Sequence, residues 1–259
     1  MSNTLIGSFI VILAFLGMFG ALSIYQRACA PRPETVRKLF HIGMGMVSLT
    51  LPLFFSSMWP VLALSALTIV TLIAVRKTST LKERFGNVIC GVERRSFGEI
   101  YFSAGVVSTF YVADGDWLAY SIAILTLSLA DSAAAIVGER FGNLRFRLIT
   151  DQKSIEGSVT FLTVTFLCAY APLLLFGEAD WINALLIAMI VSMLLTAIEA
   201  AAWRGLDNLF IPLATLMLLR GYAKANVDDL FAHLAVILLL AAGVLSYLGL
   251  AGRRLARRA

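Results

Sequence analysis

The chain carries little charge for its length. Only 14% of its 259 residues are Asp, Glu, Lys or Arg, against about 25% in soluble domains. With 59% hydrophobic residues and a mean hydropathy of +0.86, a soluble globular fold and a disordered chain are both excluded. Cysteine is scarce: Cys29, Cys90 and Cys168 are scattered, odd in number and form no CxxC pair. That removes a disulfide framework and a thiolate zinc site. The two histidines, His41 and His233, lie far apart, so no local histidine metal motif exists. There is no Ser/Gly/Pro-rich linker, low-complexity tract or internal repeat, and a single membrane domain over 1–259 is expected. The formal charge of +5 comes without a basic stripe interleaved with aromatics, so no nucleic-acid partner is expected.

What is present is a series of apolar runs. Nine reach or approach the length that crosses a bilayer: 5–25, 39–56, 58–75, 99–113, 117–137, 157–176, 181–201, 208–222 and 231–250. The expected fold is an all-α polytopic membrane bundle of nine transmembrane helices. Sidedness follows from the basic residues. Of the 21 Lys and Arg, all but Arg220 and Lys224 fall on alternate loops and the tail, which puts the N-terminus outside and the C-terminus in the cytoplasm. The opposite turns read "VADGDW" and "FGEADW", acidic with a Trp. The first run has no preceding Lys or Arg, so it reads as a span and not a cleaved leader.

The polar residues then gather at one interface. Asp131 sits inside "LSLADSAAAIVGERFG", where an ionised carboxylate costs about 2.5–3.5 kcal/mol in hydrocarbon. Ala135, Gly138 and Gly142 share its helical face. That face offers either clearance for a phosphate chain beside a metal-binding carboxylate or a GxxxG packing groove. "RKLFH" brings Arg37 and Lys38, as phosphate ligands or as interfacial anchors, with His41 on the face of Arg37. "RRSFGE" places Arg94 and Arg95 beside a Ser96–Glu99 capping-box spacing. "DQKSIEGS" sets Lys153, Glu156 and Gly157 at a helix start, where backbone N–H groups favour phosphate. "IEAAAWRGLDNLFIP" adds Glu199, Asp207 and Asn208. Carboxylates suited to Mg²⁺ together with cations suited to phosphate oxygens form the equipment of phosphoryl transfer. A transporter would place its ionisable groups nearer the bilayer midplane.

As a set and in order, "RKLFH", "RRSFGE", "DSAAAIVGERFG", "KSIEGS" and "DNLFIP" resemble the polyprenol kinase family, which includes dolichol kinases, phytol kinases and CTP-dependent diacylglycerol kinases. The matching pieces span 37–212. The resemblance implies transfer of a γ-phosphate, with CTP as donor, to a membrane-embedded lipid alcohol. Its functional positions map onto Arg37, Lys38, Asp131, Gly138, Lys153, Glu156, Gly157, Asp207 and Asn208. CDP-diacylglycerol synthases share part of the pattern, but this chain lacks their Pro-Gly-His-Gly-Gly run.

The expected site therefore has Asp131, Lys153, Glu156 and Asp207 in catalysis. Arg37, Lys38, Arg95, Gly138, Gly142, Gly157 and Asn208 would hold the nucleotide phosphates. Asp131, with Asp207 or Glu199, would hold Mg²⁺, and either Glu156 or Asp207 would take the proton of the lipid hydroxyl. The expected location is the cytoplasmic face of a membrane, the inner one in a bacterium. The alternatives are a CTP:phosphatidate cytidylyltransferase and a non-enzymatic transporter or lipid-binding protein. Asp131→Asn is expected to abolish turnover with the fold largely intact.

Overall fold

Local capping signals mark where the helices begin. Asp116 and Asp180 stand before apolar runs, and each carboxylate accepts a bond from the N–H three residues on, Ala119 at 3.1 Å and Asn183 at 2.8 Å. The two acidic turns are thus helix N-caps. Ser154 caps in the same way, accepting from the Gly157 N–H at 3.1 Å. Pro33 and Pro52 lie in first turns, where a missing N–H costs no helical bond.

The computed structural model describes residues 2–77, 98–147 and 152–256. The helices are α1 (Ser2–Cys29), α2 (Pro33–Leu49), α3 (Leu51–Phe54), α4 (Met58–Lys77) and α5 (Gly98–Ala113). Then come α6 (Trp117–Phe141), α7 (Ile155–Phe176), α8 (Trp181–Ala201), α9 (Asp207–Tyr222) and α10 (Val227–Ala256). Between α6 and α7 a short antiparallel hairpin pairs β1 (Arg145–Arg147) with β2 (Gln152–Ser154), Phe146 opposite Lys153. The helical class is as expected from the apolar runs; the hairpin is an addition to it. Among the described residues, five helices are long and apolar enough to cross a membrane: α1, α6, α7, α8 and α10. The protein is a helical membrane protein.

α6 is the central rod. Its Tyr120, Ile122, Ile124 and Leu127 are wholly buried. α7 packs against α6 and α8, α9 packs against α5, α6 and α8, and α2 contacts α6 along its length, with α1 and α10 peripheral. Residues Thr126–Ala130 of α6 form a π-helical turn. The inserted residue shifts the face presented by everything after it, beginning with Asp131, and such turns recur at functional sites. α2 meets this turn closely: a Cβ at Gly45 would collide with the Ser128 side chain. At the far end of the bundle Arg220 fastens the turn between α5 and α6. It donates to the carbonyls of Val112 (2.5 Å) and Ala113 and lies 3.6 Å from Asp116.

Candidate active site

Lys38 and His41 are three residues apart on α2 and so share a face. That face meets α6 just after its π turn. Lys38 Nζ donates to Asp131 Oδ2 at 2.5 Å, and His41 Nε2 lies 3.5 Å from the same oxygen and 3.2 Å from the Leu127 carbonyl. All three side chains are buried. The Ser132 hydroxyl, 3.4 Å from the Lys38 carbonyl, adds a second link between the helices. The far face of the His41 ring is covered by Phe102 of α5, edge-on at 4.7 Å between centroids.

The second half of the cluster hangs on the hairpin. Along β2, Gln152 is exposed, Lys153 half-buried and Ser154 buried, so Lys153 leans in toward the helix ends. Its ammonium donates to Glu199 Oε1 near the end of α8 and lies 4.0 Å from Asp207 Oδ2 at the start of α9. Burial works against the Lys153 charge, but the Glu199 and Asp207 carboxylates more than offset it and raise its pKa above the ordinary lysine value. The field of Asp131 acts in the same direction, so the two halves form one electrostatic unit. Asp207 is aimed by a sharp turn in which Arg204 and Gly205 take φ of 56° and 84°, the left-handed region that glycine tolerates.

Asn208 anchors the same helix start. Its Nδ2 donates to the Gly98 carbonyl at 2.9 Å, and α5 approaches so closely that a Cβ at Gly105 would strike the Asn208 carbonyl. Among the described residues, the buried side-chain oxygens without a hydrogen-bond partner include Glu199 Oε2 and Asn208 Oδ1 here and Glu156 Oε2 at the start of α7. Leaving such an atom unsatisfied costs about 1–3 kcal/mol, and a cation or a donating ligand would remove that cost.

The remaining expected residues are placed as follows. Arg37 is turned back onto its own helix, its Nε and Nη2 donating to Glu34 at 2.9 and 2.5 Å. Burial raises the Glu34 carboxyl, but the Arg37 bond and charge overcome this and hold it below the usual range. Glu156 Oε1 accepts the amides of Asn143 and Leu144 at 2.9 and 3.2 Å, fastening the chain between α6 and β1. Gly138, Gly142 and Gly157 line the crossing of α6 on α7. A Cβ at Gly138 would meet Ser154 Oγ at 2.9 Å, one at Gly142 would meet Ser154 Cβ at 2.8 Å, and one at Gly157 would meet the Ala134 carbonyl at 3.0 Å. The room at these glycines is filled by protein, so their smallness serves helix approach. Arg94, Arg95 and Ser96 lie outside the described residues. Among the described residues, no three His, Cys, Asp or Glu side chains converge into a ready-made metal cage. His41 is the residue that the expected site leaves out. Its signal in the sequence is the spacing within "RKLFH", which puts it beside Lys38 as well as Arg37.

No family model matches the chain, and no solved structure matches it significantly. Among curated proteins it is similar to a protein named phytol kinase from Synechocystis sp., with 25% identity over 192 residues, covering 71% of this chain and 78% of that protein. This homology supports the kinship with the polyprenol and phytol kinases that the motifs indicate.

Proposed function

We propose that the protein is a membrane lipid kinase that moves the γ-phosphate of a nucleotide, CTP by family resemblance, onto the hydroxyl of a lipid alcohol. One observation carries this reading. Lys38, His41 and Asp131 from one motif pair form one contact group, and Lys153, Glu199 and Asp207 from two others form a second. The two are close enough for their charges to act on each other, although up to 169 positions separate them in the sequence (Lys38 to Asp207). A transporter would place such groups near the bilayer midplane between broken helices, whereas Lys153, Glu199 and Asp207 stand on a hairpin and at helix ends.

In this reading the protein has nine spans and the cluster faces the cytoplasm, as the distribution of Lys and Arg favours. Asp131, Glu199 and Asp207 offer hard oxygens that fit Mg²⁺, and the unpartnered Glu199 Oε2 and Asn208 Oδ1 supply free lone pairs beside them. When bound, the ion neutralises charge on the phosphate oxygens. Lys38 and Lys153, which hold the carboxylates in this structure, exchange them for phosphate oxygens, helped by Arg37 and Arg95. Asp207 accepts or orients the hydroxyl proton. Glu156, the other carboxylate suited by sequence to that role, holds two amides on Oε1, while its Oε2 has no hydrogen-bond partner among the described residues, so it stands as the second candidate. Catalysis rests mainly on positioning and charge stabilisation.

The test crosses CTP and ATP with a panel of lipid alcohols and phosphatidate, using purified protein in detergent or nanodiscs. A phosphorylated alcohol supports the kinase. A CDP-lipid formed from phosphatidate supports the cytidylyltransferase, and no product with any pair leaves a transporter or lipid-binding protein.

A further inference from the structure

α2 carries more than the head of the site. The face that presents Lys38 and His41 continues through Met44, Ser48 and, across the break into α3, Leu51. Those last three residues line a cavity of about 180 Å³ between α1, α2, α4 and α5. Phe102 joins the two regions, since it packs against His41 and also lines the cavity. The apolar space thus begins where the charged cluster ends.

The cavity wall contains hydroxyls, but each has its donor turned onto the backbone. Ser48 donates to the Met44 carbonyl (2.8 Å), Ser65 to Ser103 (3.3 Å), Thr68 to Leu64 (2.9 Å), Thr71 to Leu67 (2.8 Å) and Ser103 to Glu99 (3.2 Å). With the donors turned onto backbone, the surface suits hydrocarbon and suits neither a headgroup nor a nucleotide. Leu16 and Leu67, also in the lining, are 59% and 50% exposed, so the space opens sideways between exposed apolar side chains of α1 and α4. Its lining on α4 runs from Val61 to Thr71, about 15 Å of helix. So small a volume over that length is a lane for one chain and not a chamber for two.

We infer that this cavity holds the hydrocarbon tail of the acceptor and that the acceptor is a single-tailed lipid alcohol. The tail enters from the bilayer between α1 and α4 and lies along α2. The hydroxyl then arrives, past Phe102, at the charged site where Asp207 accepts or orients its proton. This inference rests on the kinase reading above.

The test uses the full-length protein and two variants that fill the lane from different walls, Val106→Phe on α5 and Thr68→Phe on α4. KM for a long-chain isoprenoid alcohol rises at least tenfold in each, while KM for the nucleotide stays within twofold. An unchanged KM for the long-chain alcohol, in variants that keep the wild-type melting temperature, overturns the inference. Equal or better kcat/KM of the wild type on diacylglycerol overturns the single-tail assignment. If the variants fold poorly, a diazirine-bearing long-chain alcohol is photolysed on the wild-type protein: labelling of α1, α2, α4 or α5 at the lane supports the inference and labelling confined elsewhere defeats it. A wild-type enzyme that phosphorylates no alcohol at all fails the kinase reading instead, which keeps the two failures apart.

Discussion

Replacing Asp131 by Asn removes one charge from a pair whose partners are 2.5 Å apart and whose side chains are only 6% and 9% exposed. The Lys38 ammonium is left buried without its counterion. Breaking a buried pair from one side costs about 3–5 kcal/mol. Here His41 and the charges of Lys153 and Asp207 are close enough to act on the same site, and Asp207 supplies part of the missing negative field. The expected loss is therefore about 3 kcal/mol, or about 6–12 °C in Tm for a chain of this size. Lys38→Met strands the carboxylate and loses a similar amount. The double variant Lys38→Met/Asp131→Asn removes both charges and recovers a large part of the stability, since the uncompensated buried charge that makes each single costly is gone. Phosphoryl transfer is absent in all three. Thermal unfolding in one detergent, followed by intrinsic fluorescence with activity measured on the same samples, gives the cycle. Losses that simply add in the double variant, or singles as stable as the wild type, refute the buried pair. The expectation from sequence that Asp131→Asn leaves the fold largely intact is revised by this contact, because the motif does not reveal which cation stands opposite.

Further outcomes follow from the same geometry. Lys153 has its pKa raised by Glu199 and Asp207 against the opposing effect of burial. Its contribution to stability is therefore fully present below its ordinary value of 10.5 and lost only as pH rises through the higher folded value. The Tm difference between the wild type and Lys153→Met should stay constant from about pH 6 to about pH 10 and shrink above that; a difference that vanishes near neutrality would contradict the pairing. Arg220→Ala removes two charged hydrogen bonds to backbone at the far end of the bundle, worth about 1.5–3 kcal/mol each before discounting for partial exposure. It should lower Tm by several degrees with KM for nucleotide and lipid unchanged, and a raised KM would show that the far end is coupled to the site. Gly45→Val forces α2 off the π turn of α6 and should cut kcat at least tenfold; full activity would mean that this contact does not position Lys38 and His41.

Much of the helical architecture was legible because apolar runs and their caps are local. Asp116 and Asp180 stand where the acidic turns suggested an interface, and each starts a helix. Which ionisable side chains stand close to apolar runs was also legible, since such a group near hydrocarbon has few inexpensive reasons to be there. The pairing was not. Whether Asp131 faces Lys38 or Lys153 depends on the π turn at Thr126–Ala130, and the apolar stretch "TLSLA" carries no signal for an inserted residue. The hairpin at Arg145–Arg147 and Gln152–Ser154 was missed because its strands are too short and too polar to show alternation. It nevertheless decides which way Lys153 points. Gly138, Gly142 and Gly157 illustrate a different limit. Small residues suit phosphate approach and helix approach equally on paper, and only the position of Ser154 shows what occupies the space here. His41 was visible in the motif, but its contact with Asp131 needed the third dimension.

The most direct test of the central claim follows which phosphorus reaches the lipid. Purified protein is given a long-chain isoprenoid alcohol and CTP carrying label at either the γ or the α position, and the lipid phase is extracted and counted. The account predicts γ-label in the lipid, none from the α position, and loss of transfer in Asp131→Asn. Label from the α position, or no label from either, would contradict it.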